Sequence, residues 1–251
     1  MTLRAFELSG SDGKLIRGDR AQGTGRHVLF ITGFLSKRWG NKSKALAQWC
    51  AEQGWGFCCY DVRGFGDSEG NFADYTLSDW IADARSVISM LLGTSDRLTI
   101  VGNSLGGWIA WLMAQERDQV ERLIFIAPAF NMMGLRAQSI PAERCHEWHT
   151  AGWMPWDDEP AHRDFPLAWK WVEESEAYWK TSFDRLRPVH TAILHGQQDS
   201  AILPSGSSQF VEQLQSLAPS FPVELHLVPG DHRLSSAEHL ELFQRLVQRR
   251  D

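Results

Sequence analysis

Three residues of the sequence could together perform nucleophilic catalysis: Ser104, Asp199 and His232. A serine hydroxyl is a weak nucleophile at neutral pH, so it needs a base beside it and a third group that orients the base. The histidine would serve as the base, and the carboxylate would orient its imidazole. These residue types allow acyl transfer through a serine, provided that the fold brings them together.

Ser104 lies at the centre of the pentapeptide GNSLG, residues 102–106, which follows a G-x-S-x-G pattern. An apolar run at 98–101 enters it and an apolar helical pattern leaves it, as in the strand–turn–helix of a nucleophile elbow. Such a turn holds the serine in a strained conformation, and its glycines lie where strand and helix backbones leave no room for a side chain. Composition alone gives roughly a one-in-seven chance of the pentapeptide. The prediction therefore depends on the context.

Asp199 and His232 each follow an apolar run that is typical of a buried strand. Asp199 stands four residues after the run that ends at His195, and His232 stands four residues after the run that ends at Val228. In an open α/β sheet, reacting groups gather at the carboxyl ends of the strands. These two positions are therefore the best candidates for the acid and the base.

The other acids and histidines fit the site less well. His195 and His226 lie inside predicted strands and His239 lies in a predicted terminal helix, so all three are interpreted as packing or surface residues. Asp231 is a rival acid, but the side chains of sequence neighbours diverge, so it is poorly placed to orient His232.

A tetrahedral oxyanion also needs hydrogen-bond donors already in place. Position predicts two backbone N–H groups for this role, those of Leu105 and Phe34. Leu105 directly follows the serine, and Phe34 lies in the loop after the strand that ends at Ile31, where Gly33 lets the backbone turn. Side chains do not define this role, so the prediction rests on position alone.

The elements that must position these residues alternate along the chain. A hairpin over residues 4–17 comes first, and apolar strands then alternate with helical patterns at 27–31, 55–60, 98–101, 123–126, 191–195 and 223–228. This order predicts an α/β fold, with a mostly parallel sheet and helices on both faces. One domain over residues 1–251 is sufficient. The loop at 61–70 is interpreted as a tight turn fixed by its own Asp, Arg and Ser hydrogen bonds.

Composition excludes several classes of partner. The chain has 251 residues and a net charge of −6, and the phosphates of a nucleic acid would require a basic face. No apolar stretch reaches the roughly 18 to 20 residues of a transmembrane helix, and the first residues do not form a secretory signal. Four cysteines without a C-x-x-C pair favour reduced thiols and a cytoplasmic location. The oligomeric state is not determined by the sequence.

The chain resembles serine α/β-hydrolases over nearly its whole length. The resemblance is carried by residues 33–34, 61–70, 102–107, 196–199 and 230–232, and by the chain order Ser104, Asp199, His232. It is most similar to the branch that contains a mitochondrial protein depalmitoylase that also hydrolyses acyl glucuronides, in FITGFLSKRWGNKSKAL, YDVRGFGDSEGN and VPGDHRL. The resemblance implies esterase or thioesterase activity on a small molecule or an acylated protein, without a cofactor. Thr32 departs from it, because many members have His there.

In this fold, an insertion after the strand at 123–126 forms a lid, here at about residues 131–187. Six of the twelve tryptophans fall within it. An aromatic wall suits an acyl pocket, with Trp153, Met154 and Trp156 as candidate substrate-binding residues, but the same rings could simply stabilise a small subdomain. Its cysteine and histidines, Cys145, His146, His149 and His162, complete no familiar metal pattern, so no metal is predicted.

Three other functions remain open at this point. The same triad could serve a carbon–carbon hydrolase or an acyltransferase. A non-catalytic binding protein could keep the fold, although such proteins commonly lose one member of the triad.

Overall fold

An eight-stranded sheet organises the protein, whose computed structural model describes residues 2–93, 96–156 and 164–249. The strands in chain order are β1 (Arg4–Ser9), β2 (Leu15–Ala21), β3 (Arg26–Ile31), β4 (Gly56–Tyr60), β5 (Arg97–Asn103), β6 (Val120–Ile126), β7 (Trp153–Met154), β8 (Leu167–Ala168), β9 (His190–Gly196) and β10 (Val223–Val228). Across the large sheet the order is β1-β2-β4-β3-β5-β6-β9-β10. The β1–β2 and β2–β4 pairs are antiparallel and the others are parallel. The predicted α/β fold is confirmed.

Helices cover both faces of this sheet. They are α1 (Asn41–Gln53), α2 (Leu77–Leu91), α3 (Leu105–Glu116), α4 (Met132–Ser139), α5 (Ala142–Ala151), α6 (Lys170–Thr181), α7 (Pro204–Leu217) and α8 (Ala237–Gln248). Side chains of β3 alternate between two apolar cores, with Val28 and Phe30 in the core of α1 and α8, and Leu29 and Ile31 in the core of α2, α3 and α7. Burial on both faces explains why these strands read as unbroken apolar runs.

Several element boundaries differ from the sequence prediction, which placed the helix before the last strand at about residues 207–217. β6 begins at Val120 rather than at residue 123, because Val120 is fully buried and pairs with Leu98 before a register shift. α7 begins at Pro204 rather than at residue 207. Proline suits the first turn of a helix, where its missing N–H would have no intrahelical partner.

The loop at 61–70 is held by its own side chains, as expected from the sequence. The buried Asp61 carboxylate accepts from the backbone N–H groups of Arg38 at 2.6 Å and Asp67 at 3.0 Å. The Ser68 hydroxyl donates to the Asp61 carbonyl at 2.6 Å. Arg63 forms a fully buried ion pair with Asp83 on α2, with Nε and Oδ1 2.6 Å apart. The loop is thus fixed to the core by these contacts.

The segment between β6 and β9 contains α4, α5, β7, β8 and α6 and is here called the insertion. Its α6 docks on the start of α2, where Glu174 accepts from the Ser78 N–H at 2.8 Å and the Thr76 hydroxyl at 3.0 Å. A carboxylate there compensates the positive end of the helix dipole. The Trp171 indole is 1% exposed and donates to the Tyr75 carbonyl at 3.2 Å. Within the described ranges, no helix is both long and apolar enough to cross a bilayer.

Candidate active site

Ser104 occupies a sharp turn between β5 and α3. Its backbone has φ 53° and ψ −121°, a conformation that costs a residue with a side chain about 1 to 3 kcal/mol. Contacts on both sides maintain it, because the Ser104 N–H donates to the Ile126 carbonyl at 2.9 Å and its carbonyl accepts from Ala129 N–H at 3.0 Å. The predicted strained turn is present, and its serine is 7% exposed.

The two flanking glycines are required by close backbone approaches. A Cβ at Gly102 would lie 2.4 Å from the Gly106 carbonyl oxygen, and a Cβ at Gly106 would lie 2.3 Å from the Ile31 carbonyl oxygen. Neither contact is with a flexible side chain that could move away. The strand and helix therefore pass as closely here as the motif predicts.

His232 connects the serine to the acid. Its Nε2 lies 3.2 Å from Ser104 Oγ, and its Nδ1 lies 2.7 Å from Asp199 Oδ2. Because an ionised carboxylate only accepts, Nδ1 carries the hydrogen and Nε2 is left to accept from the serine hydroxyl. The structure thus brings together the three residues that sequence reasoning selected from three separate loops.

The Asp199 carboxylate is 3% exposed and surrounded by donors. Its Oδ1 accepts from the backbone N–H groups of Ala201 at 3.0 Å and Ile202 at 2.9 Å. Burial by itself raises the pKa of Asp199, but the hydrogen bonds from His195, His232 and the Ile202 N–H outweigh it and hold the pKa well below its usual value. The acid is therefore ionised whenever His232 needs a charged partner.

Sequence reasoning missed one member of this cluster, His195. It was interpreted as a packing or surface residue, but its Nε2 lies 3.1 Å from Asp199 Oδ2. A usable signal was present in the strand pattern. His195 is the polar end of an otherwise apolar buried run, and a buried polar side chain needs a partner.

The two predicted oxyanion donors lie beside the serine. Leu105 is the first residue of α3, so its N–H points out of the helix without an intrahelical acceptor. A Cβ at Gly33 would lie 3.1 Å from the Ser104 Cβ, which places the Gly33–Phe34 backbone directly against the serine. Among the described residues, no acceptor takes the N–H of Phe34 or of Leu105. Both donors are free to bind an anion.

The Phe34 side chain joins this loop to the insertion. Its ring stacks on Trp156, with centroids 5.1 Å apart, and meets the edge of Trp171 at 5.3 Å. Of the other two predicted substrate-binding residues, Met154 is 5% exposed and Trp153 is 58% exposed. Of the three, Trp156 is the residue whose ring contacts Phe34. The roles of all three in substrate binding remain predictions.

A separate groove of about 460 Å³ lies on the insertion, between α4, α5 and Trp169. Ser104, Asp199 and His232 do not line it. In the described part of the chain, no three His, Cys, Asp or Glu side chains are grouped to hold a metal ion, and His162 lies outside that part.

Comparison with known proteins identifies the family. Residues 26–180 match the family described as serine aminopeptidase, S33. The chain belongs to this family. It is 28% identical over 225 residues to the mouse mitochondrial palmitoyl-protein thioesterase ABHD10, covering 89% of this chain and 74% of the relative. The human counterpart is 27% identical over 227 residues, covering 89% and 72%.

Solved structures agree with this assignment. The mouse α/β-hydrolase domain-containing protein 10 superposes with a TM-score of 0.85 at 25% identity, covering 97% of this chain and 96% of that one. A putative hydrolase from Agrobacterium vitis S4 shares the fold with a TM-score of 0.88 at 23% identity, covering 99% and 98%. The chain is an α/β-hydrolase of the branch that the sequence motifs indicated. The predicted reaction class, hydrolysis of ester or thioester bonds, is also confirmed.

Proposed function

We propose that this hydrolase cleaves its substrate by two-step acyl transfer, with Ser104 as the nucleophile, His232 as general base and then acid, and Asp199 orienting the imidazole. One observation supports the assignment above all others. A continuous chain runs from Ser104 Oγ to His232 Nε2 at 3.2 Å and from His232 Nδ1 to Asp199 Oδ2 at 2.7 Å.

In the first step, Ser104 Oγ attacks the acyl carbon while its proton passes to His232 Nε2. The backbone N–H groups of Phe34 and Leu105 bind the oxyanion that forms, and the positive end of α3 adds to the effect. Collapse of this intermediate breaks the bond to the leaving thiol or alcohol, which takes the proton from His232. The acyl group remains on Ser104.

In the second step, a water molecule gives its proton to His232 and attacks the acyl-enzyme. The same two N–H groups hold the second oxyanion. The carboxylic acid leaves as the proton returns to Ser104, so the enzyme is regenerated without a cofactor. Asp199 keeps its charge throughout and stabilises the imidazolium in both steps.

An acylated thioester or ester is the substrate class that we propose. The relatives at 28% and 27% identity are named palmitoyl-protein thioesterases, and aromatic rings of the insertion lie against the Phe34 loop. We propose that residues 131–187 act as a lid within a single domain of residues 1–251. Trp153, Met154 and Trp156 are its candidate substrate contacts.

We further propose a cytoplasmic location, which fits the four free cysteines. The relatives carry "mitochondrial" in their names, so subcellular fractionation with an antibody to the untagged chain is the decisive experiment. Recovery in a mitochondrial fraction would refute the cytoplasmic assignment and leave the chemistry unaffected.

The chemistry is tested with Ser104→Ala and the exposed control Ser216→Ala. Turnover of p-nitrophenyl esters should fall by at least about 10³-fold in Ser104→Ala, because no other group can carry the acyl intermediate, and should stay unchanged in Ser216→Ala. A fluorophosphonate probe should label the wild type and the control only. Persisting turnover in Ser104→Ala would contradict the mechanism, and an unlabelled wild type would favour a binding protein.

Product analysis separates the remaining alternatives. Acyl-thioesters and aryl esters of graded chain length, a β-diketone and an aminoacyl amide are offered in parallel. We expect hydrolysis of the first two classes. Preferred cleavage of the diketone would indicate a carbon–carbon hydrolase, and transfer of the acyl group to an added alcohol in place of water would indicate an acyltransferase.

A further inference from the structure

His195 is a second imidazole bonded to the carboxylate that orients His232. It lies near the end of β9 and is 0% exposed. Its Nδ1 is 2.7 Å from the hydroxyl of Ser207, which lies in the first turn of α7 and is 1% exposed. Its Nε2 is 3.1 Å from Asp199 Oδ2 and 3.0 Å from the Ile202 carbonyl oxygen.

These contacts determine which nitrogen of His195 carries the hydrogen. The two neighbours of Nε2, a carboxylate and a carbonyl, can only accept, so Nε2 must donate. Nδ1 can then accept from the Ser207 hydroxyl, and the neutral ring satisfies all three contacts. Ser207 therefore holds the ring in the orientation that points the Nε2–H at the acid.

One carboxylate oxygen is shared by both imidazoles. Asp199 Oδ2 accepts from His195 Nε2 at 3.1 Å and from His232 Nδ1 at 2.7 Å, while Oδ1 takes the two backbone N–H groups of the loop. Hydrogen bonds to an ionised group are roughly twice as strong as neutral ones. With its donors on both oxygens, the plane of the carboxylate is fixed before a substrate arrives.

We propose that His195 is a positioning residue for the reaction: through its Nε2–H, held by Ser207, it fixes the Asp199 carboxylate in the orientation that receives His232. The proposal rests on the proposed function, because it assigns His195 a part only if Ser104, His232 and Asp199 carry the chemistry. The Nε2–H of His195 also draws electron density from Asp199 Oδ2. It thereby limits how strongly the carboxylate holds the proton on His232.

Three variants test this role. His195→Leu removes the donor, His195→Gln keeps an N–H donor close to the position of Nε2, and Ser207→Ala removes only the group that holds the ring. In His195→Leu, kcat should fall roughly 10- to 100-fold with KM changed by less than about 3-fold, because misplacement of a catalytic group affects the chemical step. The acid limb of the pH profile of kcat/KM, where activity falls as His232 takes up a proton, should move to higher pH. An Asp199 carboxylate with one hydrogen-bond donor fewer holds the proton on the His232 imidazolium more tightly.

The other two variants should lie between His195→Leu and the wild type. His195→Gln should recover kcat to within roughly 5-fold of wild type and restore the acid limb, and Ser207→Ala should lose about 3-fold in kcat. The charged sequence neighbours of His232, Asp231 and Arg233, and Lys42, which interacts electrostatically with both of them, are unchanged in all three variants. Thermal unfolding of each variant shows whether lost activity follows lost structure.

A purely structural role gives a different pattern. If His195→Leu and His195→Gln lose kcat equally with the acid limb unmoved, or if His195→Leu keeps the wild-type kcat, the proposal is overturned. Should His195→Leu fail to fold, a Ser207→Ala protein with wild-type kcat and acid limb overturns it. Ser104→Ala in the same assay separates the two hypotheses, because turnover that survives there refutes the proposed function itself.

Discussion

The carboxyl edge of the sheet and the insertion position their residues in different ways. At the edge, the backbone does the positioning: in the described residues, every non-glycine residue with positive φ follows the end of a parallel strand. These residues are Leu35, Ser104, Ala127 and Leu234 and, where the insertion leaves the sheet, Asn131. Strain of this kind persists only where surrounding structure imposes it. The geometry of the edge is thus set before any substrate binds.

The insertion relies on side chains instead. Its indole rings make edge-to-face and stacked contacts, such as Trp148 with Trp169 at 5.3 Å and Trp171 with Trp80 at 4.9 Å. Aromatic pairs contribute about 0.5 to 1.5 kcal/mol beyond their area and tolerate small shifts. Changes at the edge should therefore lower kcat steeply, and changes in the insertion should have smaller and more distributed effects.

Asp199→Asn should have the largest effect in this comparison. The amide N–H would face His232 Nδ1 where an acceptor is needed, and the imidazole would adopt the wrong tautomer. We expect kcat for p-nitrophenyl acetate to fall by about 10⁴-fold, with some loss of thermal stability because the buried His195 Nε2–H would also lose Oδ2 as its acceptor. A loss below about 10-fold would show that another group orients His232 and would contradict the role of Asp199 in the site.

Trp156→Ala tests one of the rings that join the two regions. Phe34 would lose its stacked partner, and the loop that carries an oxyanion N–H would be less well fixed. We expect kcat/KM to fall by roughly 10-fold, since small displacements at a reacting centre are costly. A loss as large as that of Asp199→Asn would abolish the distinction between edge and insertion.

Lys42→Met tests how much the partly buried charge of Lys42 destabilises the folded protein. Burial lowers the pKa of Lys42 to about 8, with Asp231 opposing the shift and Arg233 adding to it. This pKa lies below the value of about 10.5 that the amine has in the unfolded chain, so the charged amine destabilises the folded state. The destabilisation is complete below pH 8, and it disappears as the pH rises toward about 10.5. We expect urea unfolding at pH 7 to show the variant about 1 kcal/mol more stable.

The pH dependence distinguishes this effect from a general gain in helix stability. The advantage of Lys42→Met should shrink toward zero as the pH rises past about 10.5, where the wild-type amine becomes neutral in the unfolded state as well as in the folded one. The matched control is Lys44→Met, two residues along α1 and exposed, which should show no such dependence. An advantage of constant size across this range would contradict the assignment.

Trp153→Ala should have the smallest effect, and it is the natural control for Trp156→Ala. The Trp153 ring is 58% exposed, so its removal leaves the Phe34 loop as it was. We expect kcat/KM for short-chain p-nitrophenyl esters within about 2-fold of wild type. A selective rise in KM for long acyl chains would instead support the prediction that this ring contacts substrate.

Much of the carboxyl edge could be predicted from the sequence because local patterns report on it. The glycines around Ser104 lie where an added Cβ would come within 2.3 to 2.4 Å of a backbone oxygen. The ends of the predicted strands pointed to loops that the structure brings together, although Ser104 and His232 lie 128 residues apart in the chain. His195 was missed because an imidazole inside an apolar strand has no local mark of its partner. The stack of Phe34 on Trp156 was also not predictable, since ring pairs between distant segments leave no periodicity.

The Glu174 carboxylate at the start of α2 has a consequence for how the molecule opens. Its two bonds and the Trp171 indole bond connect α6 to a helix of the central core. Moving α6 outward would leave the Ser78 N–H of α2 unpaired and expose a buried indole, so we expect α6 to belong to the same cooperative unfolding unit as the sheet. Amide hydrogens of α6 should exchange as slowly as those of α2, and α4 shares this attachment, because Asn131 Nδ2 and Gln138 Nε2 donate to Glu176 Oε1 of α6 at 3.2 and 3.3 Å.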